Sequence, residues 1–244
     1  MMLANHFLEH SADRLPDKTA LVCGEQRWTY SQINKSAEEL ASFLKHLGIN
    51  RQDRVILFLD NSAESVIAMF AVLKAGAIFV PLNPAMKSHK LRYICNDSGA
   101  KLIVTHTSKR RVMEAATNST ETIESVIWAG KTELVPENTE AAIHYSLDYA
   151  LALHASFDSP PEFPRCIDQD LAIIIYTSGS TGEPKGVMLM HSNFLYQVGQ
   201  IPERISVAPG DIWLTVLPVW HSFERIMQYV SLGTASAQAY SKPI

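Results

Sequence analysis

The sequence lacks most of the features that assign a chain to a special class. Its three cysteines, Cys23, Cys95 and Cys166, are odd in number, far apart and without a Cys-x-x-Cys pair. That excludes a disulfide framework or a cysteine-built zinc site and predicts buried or incidental thiols in a reducing compartment. No apolar run reaches the roughly 18–20 residues of a membrane span. The best stretch, Val66 to Leu82, is cut by Lys74 and punctuated by Gly76 and Pro81. The start, Met1-Met2-Leu3-Ala4-Asn5-His6, has neither the charged beginning nor the apolar core of a signal peptide. Basic excess is missing too: Lys+Arg 21 against Asp+Glu 25 gives a formal net charge of −4. Without a basic stripe to displace counterions, a dedicated nucleic-acid binder is excluded. Internal repeats and low-complexity tracts are likewise absent. The expectation is a cytoplasmic soluble protein with no transmembrane segment and no nucleic-acid partner.

What the chain does have is length and rhythm. At 244 residues and 47% hydrophobic content, it can bury about 70–75% of the surface its unfolded form exposes. Short β-rich runs alternate with amphipathic stretches. Ile33, Ala37, Leu40, Ala41 and Leu44 recur at helical spacing between Ser31, placed as a cap, and Gly48. Arg54–Leu59 reads as a strand covered on both faces, followed by a helix from Asn61-Ser62 to Lys74 and a strand at Ile78–Val80. The cycle repeats with a helix over Ser88–Asp97, a strand over Lys101–Thr105, a helix over Lys109–Ala116 and a strand over Ile123–Trp128. Such spacing predicts an α/β fold, a mostly parallel sheet with helices on both faces. From Gly130 to Asp170 the rhythm fails, and one short helix, Ser146–Ala155, is expected within a long surface excursion. A buried strand at Leu171–Tyr176, a helix from Ser192, a strand at Asp211–Leu217 and a helix over Ser222–Leu232 follow.

One segment stands apart: Tyr176-Thr177-Ser178-Gly179-Ser180-Thr181-Gly182-Glu183-Pro184-Lys185-Gly186. It follows directly on an apolar strand, at the carboxyl end where open α/β sheets bind ligands. Gly179 and Gly182 let backbone amides converge, four hydroxyls add donors, and Lys185 adds a charge. The composition is that of a phosphate cradle. It is not the Walker type, because the glycines are three apart and Pro184 and Gly186 both oppose a helix starting at the lysine. The run Gly186–Met190 looks extended, so the loop is expected to join two strands.

This loop resembles the signature of the adenylate-forming (AMP-binding) superfamily: acyl-CoA synthetases, luciferases and the adenylation domains of peptide synthetases. The resemblance extends to Trp28-Thr29-Tyr30-Ser31, to Ala71-Val72-Leu73-Lys74-Ala75-Gly76-Ala77-Ile78-Phe79-Val80-Pro81-Leu82-Asn83-Pro84 and to Leu217-Pro218-Val219-Trp220-His221-Ser222-Phe223-Glu224-Arg225. It implies ATP-dependent activation of a carboxylic acid to an acyl-adenylate, with magnesium, and transfer to coenzyme A as co-substrate. By the same resemblance Thr177, Ser178, Gly179, Ser180, Thr181, Gly182 and Lys185 hold the β,γ-phosphates, and Thr181 stands near the metal. His221 and Lys185 are implied as catalytic, with His221 beside the bound carboxylate and α-phosphate. Trp220, His221 and Phe223 are implied as substrate-binding, and Glu224-Arg225 is expected to serve the first helical turn and a structural ion pair. The other histidines, His191 included, are expected to be surface or satisfied core side chains. The Trp-His-x-Phe-Glu-Arg string looks like the long-chain fatty acyl branch, with coenzyme A or acyl carrier protein as partner and peripheral membrane contact left open.

Members of that family run to at least about twice this length. The expectation is therefore a large N-terminal domain of an acyl-CoA synthetase-like fold, incomplete, with its second sheet only begun and the C-terminal lid domain absent. Residues 1–50 and 210–244 are assigned to one sheet subdomain and 51–209 to the other. A catalytically silent, truncated nucleotide-binding module is the alternative. The chain alone is expected to give no ATP–pyrophosphate exchange with palmitate. Exchange matching that of a polypeptide extended through the family's later motifs would overturn this.

Overall fold

The computed structural model describes residues 2–117, 120–153, 161–178 and 183–241. Eleven strands among these residues form two sheets. The larger sheet is built from β3 (Arg54–Phe58), β4 (Ile78–Pro81), β5 (Leu102–His106), β6 (Ser125–Ala129), β7 (Ile143–Ser146), β8 (Leu171–Thr177) and β9 (Lys185–Met190). Its spatial order is β7-β6-β5-β3-β4-β8-β9, parallel throughout except for β9, which runs antiparallel to β8. The chain thus winds outward from β3 on both sides, and the order reverses between β3 and β5. The smaller sheet joins β1 (Thr19–Cys23), β2 (Gln26–Thr29), β10 (Ile212–Thr215) and β11 (Ala237–Tyr240) in the order β10-β11-β1-β2. The α/β class with a mostly parallel sheet, expected from the sequence, is the observed one.

Local chemistry explains most element ends. Helix α2 (Tyr30–His46) starts two residues earlier than a Ser31 cap would place it and is capped by Thr29. The Thr29 side chain accepts from the Gln32 amide while Gln32 Oε1 accepts from the Thr29 amide, a reciprocal capping box. Helix α3 (Ala63–Lys74) is capped by Ser62, and all of its residues except Glu64 are buried. Gly76, at φ +74°, turns the chain into β4, and a Cβ there would lie 2.5 Å from Pro164 Cγ and 2.9 Å from Cys166 Sγ. Glycine is required on both counts, because the 161–170 excursion packs against this turn. Helices α1 (His6–Arg14), α4 (Ser88–Ser98), α5 (Arg110–Thr117), α6 (Leu147–Leu153), α7 (His191–Ile205) and α8 (Ser222–Gly233) complete the fold. Strand β7 was not expected inside the excursion; it is four residues long, with the burial of an edge strand.

Lys74 at the end of α3 is buried and paired with Glu9 of α1 (2.6 Å) and Glu38 of α2 (3.4 Å). Tyr229 of α8 is the aromatic hub, with Phe7, Phe70 and Phe194 rings at 5.9, 6.1 and 4.8 Å. At the other extreme, β10 is an edge strand, and Ile212 and Leu214 on it are 70% and 61% exposed. No helix of the described residues is long and apolar enough to cross a membrane.

His191 opens α7 as a buried side chain, its Nδ1 accepting from the Ala4 amide at 3.1 Å. Ser192, from which the helix was expected, is its second residue, and Asn193 Oδ1 accepts from the Met190 amide at 2.8 Å. Burial pushes the His191 pKa down from 6.5 to about 4, against the smaller opposing pull of Asp170. A depressed histidine pKa means that the unfolded chain takes up a proton below pH 6.5 that the folded chain refuses. Stability contributed by neutral His191 is present above pH 6.5 and is lost as pH falls toward 4. From pH 6.5 to pH 5 the loss is about 2 kcal/mol. In urea titrations at the two pH values, His191→Gln should remove that share of the slope. An unchanged slope would show that His191 does not carry it.

Candidate functional site

Strand β8 is apolar enough to be buried between β4 and β9, with Ile173 facing Phe79 of β4. Its pairing with β9 places Thr177 opposite Lys185 and Tyr176 opposite Gly186. The segment singled out from the sequence is therefore a hairpin mouth at the carboxyl end of β8, and its continuation is a strand, as Pro184 and Gly186 implied. Thr177, Ser178 and Lys185 are exposed there, and Lys185 makes no ion pair among the described residues. Gly179, Ser180, Thr181 and Gly182 lie outside the described residues.

The base of the mouth is held firmly. A Cβ on Gly186 would lie 2.8 Å from Ile174 Cγ2 and 3.3 Å from the Tyr176 ring, so only glycine lets that ring lie across the strand. The Tyr176 hydroxyl donates to Asp97 Oδ2 of α4 at 2.5 Å. Burial, reinforced by this bond and the Asp97 charge, pushes the Tyr176 pKa well above the ordinary phenol value. Tyr176 therefore stays a donor at any physiological pH. At the other end of β8, Gln52 exchanges two hydrogen bonds with the Leu171 backbone, and Arg51 forks onto Asp170 at 2.5 and 2.9 Å.

His221 precedes α8 in extended backbone, its amide donating to Pro218 O at 2.9 Å and its carbonyl accepting from the Arg225 amide. The ring is exposed and stands edge-on to Trp220, 6.4 Å between centroids. Two cavities flank this turn. One, of about 310 Å³, opens over the carboxyl ends of β3, β4 and β5, lined by Asp60, Asn61, Asn83, Lys109 and Trp220. That is the place where the strand order reverses, the position at which open α/β sheets bind ligands. The other, of about 430 Å³, lies between the β8–β9 pair, α7 and α8, with Ile175, Leu189, Phe194, Ser222 and Arg225 in its walls. The turn bearing His221 thus joins the first cavity through Trp220 to the second through Ser222. Phe223 is 53% exposed and lines neither.

Two features were not legible in advance. Asn61 ties the turn down: its Nδ2 donates to Leu217 O at 3.0 Å and its Oδ1 accepts from the Val219 amide at 2.9 Å. Its position just after an apolar strand was the only available signal. The expected Glu224–Arg225 ion pair is not formed. Glu224 is buried and accepts from Trp213 Nε1 at 3.0 Å, while Arg225 is buried with Gln228 Oε1 at 2.7 Å and has no carboxylate among the described residues. Successive residues leave a helix about 100° apart, so the two side chains point to different elements. Among the described residues no group of three or more His, Cys, Asp or Glu could hold a metal ion.

Residues 8–243 match the family described as AMP-binding enzyme. Tyrocidine synthase 2 from Brevibacillus parabrevis is 33% identical over 204 residues, 83% of this chain and 5% of that protein. The chloroplastic long-chain-fatty-acid–[acyl-carrier-protein] ligase of Arabidopsis thaliana is 28% identical over 246 residues, 95% of this chain and 34% of that protein. The inhibitor-bound N-terminal domain of FACL13 from Mycobacterium tuberculosis superposes with a TM-score of 0.83 at 26% identity, covering 100% of this chain and 58% of that one. The chain thus spans a minor part of these curated relatives and somewhat over half of the matched structure.

Asn61→Ala removes both bonds that hold residues 217–219. Each is worth about 0.5–1.5 kcal/mol net, so the variant should lose about 1–3 kcal/mol in denaturant titration. Amide exchange should rise selectively over 217–221. Uniform exchange across the chain would show that Asn61 does not position the turn.

Proposed function

This chain belongs to the AMP-binding enzyme family, and we propose that the protein performs ATP-dependent activation of a carboxylic acid, a long-chain fatty acid, and its transfer to coenzyme A in the cytoplasm. The observation that carries this reading is the hairpin mouth: Thr177 and Lys185 face one another at the carboxyl end of a buried strand, with Ser178 and Lys185 exposed beside it. Such a mouth suits a polyphosphate. Hydroxyls, and a lysine with no carboxylate partner among the described residues, offer hydrogen-bond donors and positive charge to it. We assign the β,γ-phosphates of ATP to Thr177, Ser178, Gly179, Ser180, Thr181, Gly182 and Lys185. Magnesium, with Thr181 near it, supplies charge neutralisation on the phosphate oxygens.

In the reaction, a carboxylate oxygen attacks the α-phosphorus, the bond to the bridging oxygen breaks, and pyrophosphate leaves with that electron pair. Lys185 and the loop hydroxyls stabilise the charge growing on pyrophosphate. His221, at the exposed start of α8, donates to an oxygen of the carboxylate or α-phosphate. A thiolate then attacks the acyl carbon and AMP departs. Trp220 and Phe223 are the side chains we assign to the acid. The fatty acid is favoured by the Trp-His-x-Phe-Glu-Arg string and by likeness to the Arabidopsis ligase over 95% of the chain. Likeness to tyrocidine synthase 2 favours a second reading, a different acid delivered to a carrier-protein thiol.

The phosphate assignment can be tested on this chain directly. Calorimetric titration with magnesium pyrophosphate at fixed ionic strength should show binding that Lys185→Ala weakens by about 10- to 100-fold, the worth of one charge-assisted bond. Lys185→Arg, which keeps the charge, should recover part of it. Equal affinity in the wild type and Lys185→Ala would remove the hairpin mouth from the phosphate site.

A further inference from the structure

Asp97, in the last turn of α4, takes no part in the reaction above, and local physics disfavours an acid where it stands. A carboxylate at the carboxyl end of a helix meets the negative end of the helix dipole, and that turn of α4 holds no basic residue to offset it. The side chain is exposed, so packing of the helix does not call for it either. What Asp97 does hold is the Tyr176 hydroxyl, which donates to its Oδ2 at 2.5 Å across 79 residues of sequence. Tyr176 is the last residue but one of β8, and its half-buried ring packs on the core that Leu91, Ile94 and Cys95 of α4 help to form.

The same ring lies against the backbone of Gly186, where a Cβ would come within 3.3 Å of the ring Cζ. Gly186 follows Lys185, the cation of the hairpin mouth, directly in the chain. Beyond its ladder bonds to β8, little else fixes that end of β9. It is the outermost strand of the larger sheet among the described residues, and Lys185, Gly186, Val187, Met188 and Met190 are all exposed. Across the mouth, Thr177 Oγ1 stands 3.5 Å from Lys185 O, at the limit of a hydrogen bond. A strand end with so few buried contacts opens locally more readily than the sheet behind it. The Tyr176 ring is the stop against that opening, and Asp97 holds the ring.

We propose that Asp97 is a positioning residue for the phosphate site: through the Tyr176 hydroxyl it fixes the ring on Gly186, and so fixes where Lys185 presents its charge. This role rests on the phosphate assignment above, and it places a determinant of the loop's affinity on α4, outside the loop itself. The expected sign is the reverse of what charge alone would give. Removing a carboxylate near an anion site strengthens anion binding where only Coulomb forces count. Removing a tether on the cation weakens it.

The test titrates magnesium pyrophosphate calorimetrically, at fixed ionic strength, into the wild type, Asp97→Ala, Asp97→Asn and Tyr176→Phe, each variant also combined with Lys185→Ala. Ser98 stands beside the same hydroxyl, so Tyr176→Phe serves to remove every bond the hydroxyl makes while keeping the ring. Asp97→Ala and Tyr176→Phe should each weaken binding by about 3- to 10-fold, the worth of one hydrogen bond. Asp97→Asn keeps an acceptor at the same reach and should bind more tightly than Asp97→Ala. With Lys185→Ala the losses should vanish, because the group being positioned is gone. Amide exchange followed by NMR should rise over residues 185–187 in Asp97→Ala and Tyr176→Phe, and stay as in the wild type over β3, β4 and β5. Unchanged or tighter binding by Asp97→Ala overturns the proposal. So does Asp97→Asn that binds no better than Asp97→Ala, or a loss that persists in full without Lys185. A lower ligand-free unfolding midpoint with affinity unchanged marks a structural role only and overturns it too. If Lys185→Ala weakens pyrophosphate binding and the Asp97 and Tyr176 variants do not, this proposal alone fails. A wild type that does not bind pyrophosphate removes the phosphate assignment and this role with it. Unchanged exchange over 185–187 removes the tether itself whatever the ligand does, which keeps the two failures apart.

Discussion

Helix α3 has almost no face to give to water, and that constraint organises the rest of the fold. Apart from Glu64, all of its residues are buried, which is possible only if other elements close around it on every side. Helices α1 and α2 approach through Glu9 and Glu38, which share the ammonium of Lys74. Helix α8 approaches through Phe70 against Tyr229 and Met69 against Arg225. Because α8 leads directly into β11 of the smaller sheet, and α3 into β4 of the larger, the packing of these two helices fixes how the sheets sit together.

The candidate site depends on that relation more than on any single residue in it. Lys185 and Thr177 take their positions from the larger sheet, through the β8–β9 register, the Tyr176–Asp97 bond and the glycine at 186 that admits the Tyr176 ring. His221 takes its position from α8, and α8 is bound to the smaller sheet by a buried polar chain. In that chain Gln228 donates to Gln238 and to Tyr240, and Gln238 donates to Thr215. Asn61 is the cross-tie, a side chain just beyond β3 that grips the backbone leading to His221. The side chains assigned above to phosphate and carboxylate therefore take their positions from two different sheets.

What could be read from the sequence, and what could not, follows from range of interaction. The strands β3, β4, β5 and β8 were legible because each is buried on both faces and so reads as a continuous apolar run. The hairpin was legible because Pro184 and Gly186 forbid the helix that a Walker loop requires. Thr29 and Ser62 are local caps, yet the sequence points to Ser31 for α2; Gln32, whose side chain reaches back to the Thr29 amide, decides for Thr29. The small sheet was harder. Strands β1 and β2 are short and half exposed, and β1 pairs with β11, more than two hundred residues away. Nothing within a local window signals such pairing. The fate of Glu224 and Arg225 was hidden for the same reason. Their neighbours in space, Trp213, Met69 and Phe79, come from three other elements.

Arg225 brings these levels together. Its aliphatic stem and guanidinium fill space between α8, α3 and β4, where an apolar side chain would meet the needs of packing. The chain instead keeps a charge there, saturates one nitrogen with Gln228, and continues the same hydrogen-bond network to Gln238 and Tyr240. A network of this kind rigidifies when every member is satisfied and is weakest where one is not. Here the unsatisfied member lies in the wall of a cavity, one turn from the exposed histidine and across from the strands that carry the loop.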